Sequence, residues 1–135
     1  MSNVRRQKTR VRRMSNTAEF ITATPVLASL DIERSVEFFC SKLGFVKIHA
    51  AQGAYGIVSS GSVSIHFWAC ADRKIAEATG CRVGVRGIEA LFAKCVSYGI
   101  VHPNAPLAKA PWGNQEFGIL DPDGNLITLY EPADA

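Results

Sequence analysis

The run from Tyr55 to Ala69 returns 62 positions later, from Phe117 to Glu131, without a gap. Each copy reads as two short strand-forming segments around a turn. The ungapped register pairs Tyr55 with Phe117, Gly56 with Gly118, Ile57 with Ile119, Ile65 with Ile127 and His66 with Thr128. A duplicated hairpin confines the chain to folds built from two like units.

The duplication extends upstream. Asp31 reads as an N-cap ahead of Ile32, Val36, Phe39 and Leu43, whose spacings of four, three and four place one apolar stripe on a helix, and Gly44 reads as its left-handed C-cap. The segment Val85 to Gly99 repeats the plan, with Ile88, Leu91, Phe92, Cys95 and Val96 as the apolar positions. Extended runs, Ile21 to Leu30 and Cys81 to Arg86, precede the helices. Three strand-like segments follow each one: Phe45 to Ala50, Ala54 to Ser59 and Val63 to Ala69, then Gly99 to His102 continuing irregularly to about Lys109, Gln115 to Leu120 and Leu126 to Glu131. The order β-α-β-β-β therefore occurs twice, in modules of about residues 20–70 and 80–132. Asp121-Pro-Asp-Gly124 is the turn of the second hairpin, because Pro122 presets φ and Gly124 tolerates positive φ. Such units predict an α+β fold with helices packed on one face of largely antiparallel sheets.

A chain of 135 residues with 47% hydrophobic content has enough apolar surface for one core, here residues 17–135, without a disulfide or metal staple. No apolar run is long enough to span a bilayer. Cys40, Cys70, Cys81 and Cys95 lack C-x-x-C spacing and read as reduced, buried thiols, which points to the cytoplasm. The net charge of +3 hides an asymmetry. Residues 1–16 carry six basic residues and no acid, and the remaining nine basic and twelve acidic residues leave the rest of the chain at −3. The basic segment reads as a solvated tail rather than a nucleic-acid arm. Met1-Ser-Asn3 recurs as Met14-Ser-Asn16, so Met14 is a candidate start, with the preceding residues an extension.

Three segments carry a family resemblance: Thr24 to Phe45, Val85 to Phe92, and Pro111-Trp-Gly-Asn-Gln-Glu-Phe-Gly-Ile-Leu-Asp-Pro-Asp-Gly-Asn125. Together they resemble the glyoxalase/bleomycin-resistance/dioxygenase superfamily, also called vicinal oxygen chelate proteins, and within it the bleomycin-binding resistance proteins. The resemblance spans Ile21 to about Pro132. It implies curled mixed sheets around a cup-shaped cavity, and a homodimer with pockets near its interface. In metal-using members it implies four ligands, one on the first and one on the last strand of each module. Carried onto this chain, those positions are Thr24, His66, Cys81 and Thr128. Threonine is a poor ligand for Zn²⁺ or Fe²⁺, so the set is incomplete and no cofactor is expected.

Strand alternation puts Ser64, His66 and Trp68 on one face and Leu126, Thr128 and Tyr130 on the equivalent face. Such a mixed aromatic and polar wall suits a flat organic ligand. The loop from His102 to Pro111 has no counterpart of equal length in the first module, and Trp112 follows it. The resemblance makes Trp112 a stacking residue bordering a drug groove. Tyr55, Ser64, His66, Trp68, Arg82, Trp112, Thr128 and Tyr130 are the candidate ligand contacts. Bleomycin is cationic, and the resistance proteins offer it an acidic, aromatic groove. Here the Ile48 to Ala54 loop has no carboxylate and Arg82 adds a positive charge, which suits a neutral or anionic ligand at least as well.

The expected function is metal-independent binding that sequesters an aromatic or bleomycin-like antibiotic, with no catalytic residue assigned. The alternative is a metal-dependent lyase, isomerase or dioxygenase using His66 and Cys81 with waters. Nucleic-acid binding through the tail is a third, lesser reading.

Overall fold

The computed structural model describes residues 16–133. The basic segment, apart from Asn16, and the candidate start at Met14 lie outside the described residues. The first module runs β1 (Val26–Ser29), α1 (Ile32–Leu43), β2 (Val46–Ala51), β3 (Tyr55–Ser60) and β4 (Val63–Ala69). The second runs β5 (Gly80–Gly84), α3 (Ile88–Tyr98), β6 (Ala108–Lys109), β7 (Gln115–Leu120) and β8 (Leu126–Glu131). A short helix absent from the sequence reading, α2 (Arg73–Glu77), connects them and is capped by the Asp72 carboxylate. Each module forms a four-stranded sheet, ordered β1-β4-β3-β2 and β5-β8-β7-β6, in which the first strand pairs parallel with the last. The expected α+β tandem architecture is present.

The helices form where the capping signals lie. Asp31 accepts from the Arg34 amide at 3.1 Å, and Gly44 closes α1 at φ 76°. At α3 the cap is Gly87, whose side-chain cap is supplied from elsewhere: Glu131 Oε1 accepts from the amides of Gly87 and Ile88 at 3.1 and 2.9 Å. A carboxylate there satisfies two orphan donors and complements the helix dipole. Ile32, Val36 and Phe39 of α1 and Ile88 and Cys95 of α3 are buried, packing with Val58, Ile65, Phe67, Phe117, Ile119, Ile127 and Leu129 into one core that spans both modules. Val96, expected on the buried stripe, is instead exposed, because the shorter apolar face of α3 is filled by Leu91, Phe92 and Cys95. Of the four thiols only Cys95 is buried; the other three are partly exposed.

The structure corrects the repeat register. The first hairpin closes on Ser60 and Val63 around two residues, whereas the second closes on Leu120 and Leu126 around five. Asp121 builds the longer turn: its Oδ1 accepts from the amides of Asp123 and Asn125, and Gly124 takes φ 93°. Pairing Ile57 with His66 but Ile119 with Ile127 displaces β7 by one residue against the ungapped alignment. A one-residue displacement sends every side chain to the other face. Tyr55 therefore corresponds in space to Glu116, not Phe117, and Ile57 to Gly118. The two aligned glycines face opposite ways: a Cβ on Gly56 would meet Ile32 and Val36 of α1, and one on Gly118 would meet Leu126 and Ala105.

The same turn ties the modules together. Asp123, fully buried, accepts from the Leu30 amide, the Ser35 hydroxyl and the Arg34 guanidinium, while the Asn125 amide donates to the Ala28 carbonyl at 2.9 Å. Burial pushes the Asp121 carboxyl above its ordinary range despite the hydrogen bonds it accepts.

Candidate functional site

Alternation gives each sheet a face turned away from its helix, called the open face below. On the first sheet it carries Tyr55, Ile57 and Ser59 of β3 and Ser64, His66 and Trp68 of β4, since Val58, Ile65 and Phe67 are buried on the helix side. The Tyr55 hydroxyl lies 2.9 Å from His66 Nδ1, with the rings edge-to-face at 5.5 Å. Trp68 is opposite Tyr55 in the ladder and 38% exposed. His49 and Val26 complete a row across the sheet with Ile57 and His66. His49 was not among the sequence candidates, because the register irregularity between Lys47 and His49 that aims it there leaves no sequence signal.

The second sheet presents Arg82, Glu116, Gly118, Thr128 and Tyr130 on its open face. Arg82 grips Glu116 through both terminal nitrogens, at 2.9 and 3.3 Å, and lies 4.7 Å from the centre of the Tyr130 ring. The indole Nε1 of Trp112 donates to the same carboxylate at 2.7 Å, leaving the ring 66% exposed. Arg82 first, then burial opposed by Trp112, sets the Glu116 carboxyl, which ends below its usual range. Glu116 was missed because the ungapped register assigns its place to Phe117. Its signal was present in the odd length of the Asp121–Asn125 turn.

Glu116, Gly118, Leu126 and Thr128 floor a cavity of about 240 Å³ roofed by the Ala105–Ala110 stretch. Gly118 lets that stretch approach, with its amide donating to the Ala105 carbonyl at 2.9 Å. Ser64 does not join the Tyr55 and His66 cluster. Together with Thr24 and Arg82 it lines a different cavity of about 330 Å³ where the two modules meet.

Of the four expected ligand positions, Cys81 does not share a face with His66 and Thr128. Val26 is opposite His66, and Arg82 is opposite Thr128, so neither Thr24 nor Cys81 is the direct strand partner of the expected ligand on the last strand. Thr24 precedes β1. Cys81 alternates onto the helix side, where it packs against the core and burial pushes its thiol up to about 11. A metal binds thiolate rather than thiol, so Cys81 is unsuited by both direction and charge. Threonine offers only a weak neutral donor and Cys81 faces the core, so the expected set does not fit a transition metal. Among the described residues no group of three or more His, Cys, Asp or Glu is placed to hold a metal ion.

Two βαβββ modules with aromatic and polar open faces define the glyoxalase/bleomycin-resistance class of folds. The bleomycin-binding protein of Streptomyces verticillus, solved with copper(II)-bleomycin, superposes with a TM-score of 0.73 at 25% identity, covering 84% of this chain and 97% of that one. Lactoylglutathione lyase from Agrobacterium tumefaciens shares the fold at a TM-score of 0.67 and 14% identity, with 84% and 95% covered. The bleomycin resistance protein of Geobacillus stearothermophilus is 31% identical over 128 residues, which cover 82% of this chain and 96% of the relative. The chain belongs to the bleomycin resistance protein family. No protein-family profile matches it.

Proposed function

We propose that this protein binds and sequesters bleomycin or a closely similar antibiotic without a metal of its own and without turning it over. The observation that carries the reading is Trp112, an exposed indole anchored at one edge by Glu116, so that its face is presented to solvent in a fixed plane. A preoriented aromatic ring gives contact area at low entropy cost and suits a flat, conjugated ligand. Family membership supports the choice of ligand. Tyr55, His66 and Trp68 of the first sheet, with Thr128 and Tyr130 of the second, are the remaining proposed contacts; Ser64 lines a different cavity and Arg82 serves as the counter-ion of Glu116.

The pocket is completed by a second copy of the chain. Val26 lies exposed on one edge strand of the first sheet, Val46 and Ile48 on the other, and Leu126 at the hairpin end of the second sheet, apolar groups that a lone subunit leaves in water. The complex works in the cytoplasm. The metal-dependent lyase or dioxygenase reading is weaker, since two of the four expected ligand positions are threonines and Cys81 packs against the core.

Titration of bleomycin against tryptophan emission tests the proposal, with metal analysis of protein purified without added metal. Saturable quenching by metal-free protein is expected, and Trp112→Ala should weaken affinity by about 1–3 kcal/mol. Stoichiometric copurified metal, or affinity unchanged in a folded Trp112→Ala protein, would overturn it. A monomer mass at micromolar concentration would remove the dimer.

A further inference from the structure

On the opposite side of the sheets from the candidate site, a cavity of about 280 Å³ lies between the modules. Phe39 of α1, Ile65 of β4 and Ile127 of β8 lie beneath it, each at most 1% exposed, and the half-buried Leu43, Phe45, Val63 and Leu91 form its accessible lining. The groove is partly open to solvent, and exposed apolar lining of this kind marks a ligand-binding groove. At roughly 30 Å³ per water-sized group, the volume admits a body of about nine heavy atoms.

The lining includes one charged side chain, Arg86, in the exposed link between β5 and α3. Among the described residues its guanidinium has no ion pair, in contrast to Arg34, Arg73 and Arg82, each of which holds a carboxylate. The nearby carboxylate of Glu131 is committed to the α3 amides. A cation with no carboxylate of its own, next to an apolar chamber, matches a ligand with an anionic head and an apolar body.

We infer that this chamber is a second binding site, for a small amphipathic carboxylate. The apolar body lies between Leu43, Phe45, Val63 and Leu91, above Phe39, Ile65 and Ile127, and the carboxylate meets Arg86 at the mouth. The site is independent of the antibiotic reading, because its walls are the helix-side residues of the same strands whose open-face residues form the other site.

The test is octanoate titrated into the full chain, with 1-octanol as the neutral counterpart, followed by methyl NMR for Ile and Leu and by the indole N–H resonances for Trp68 and Trp112. Saturable octanoate shifts at Ile65, Leu43, Leu91 and Ile127 are expected, with Trp68 and Trp112 unaffected. Arg86→Gln, at an exposed position, should weaken octanoate roughly fivefold while leaving 1-octanol unchanged. No saturable shift at those methyls, shifts confined to Trp68 and Trp112, or equal octanoate affinity in Arg86→Gln would each overturn the assignment.

Discussion

Trp112 and Glu116, four residues apart on either side of the entry to β7, are joined by a 2.7 Å hydrogen bond from indole to carboxylate. Arg82 donates to the same oxygen, Oε2, at 2.9 Å and to Oε1 at 3.3 Å, so the acceptor of the exposed ring is itself held in place. Glu116→Ala removes the acceptor and should release the indole, lowering affinity for a stacking ligand by about 1 kcal/mol. Glu116→Gln keeps an acceptor oxygen and should retain more of the orientation. Time-resolved anisotropy of Trp112 in a Trp68→Phe background reads this directly: faster ring motion is expected in the alanine variant only, and equal motion in all three proteins would dismiss the anchoring role.

The Glu116 contacts also set a pH response. Arg82 holds the Glu116 carboxyl below its ordinary range, so the folded protein keeps it charged after an unfolded glutamate has begun to protonate. A depressed carboxylate contributes stability that is present above the unfolded value and lost as pH falls through the folded one. Trp112 emission should therefore stay constant from pH 7 to 5 and change only below about pH 4. A midpoint above pH 5 would mean that another group controls the indole.

Arg82 gives Glu116 an internal counter-ion, which a cationic ligand has to compete with. Arg82→Gln leaves the carboxylate to the ligand and should tighten binding of a cationic antibiotic, by about 1 kcal/mol, with a steeper loss of affinity in added salt. Isothermal titration at two ionic strengths separates the terms. Weaker binding by the variant, with the salt dependence unchanged, would make Arg82 a direct contact instead.

The tandem architecture was legible in the sequence because capping residues and apolar periodicity are local signals; Asp31, Gly44 and the Ile32, Val36 and Phe39 stripe sit where they were expected. The open-face positions of Ser64, His66, Trp68, Thr128 and Tyr130 followed from strand alternation alone. What escaped depends on pairing between strands. The five-residue Asp121–Asn125 turn moves Glu116 into the place assigned to Phe117, and the parallel register of β5 with β8 puts Arg82 opposite Thr128 and turns Cys81 to the helix side. Neither is encoded within a single strand.

That register makes the two aligned glycines separable by experiment. Gly56 lies under α1, where an added Cβ would stand 3.0 Å from methyl groups of both Ile32 and Val36. Gly118 lies under the loop, where the same atom would stand 3.0 Å from a Leu126 methyl and 3.1 Å from the Ala105 Cβ. Overpacking of this order costs about 1–3 kcal/mol, so both alanine variants should melt lower than the parent. Only Gly118→Ala should also change ligand affinity, because the atoms it displaces bound the cavity beside Glu116 and Thr128. Gly56→Ala acts on the helix side and should leave the dissociation constant within twofold once the folded fraction is accounted for. An affinity loss in Gly56→Ala matching that in Gly118→Ala would show that the ligand reads the sheet as a whole rather than its open face.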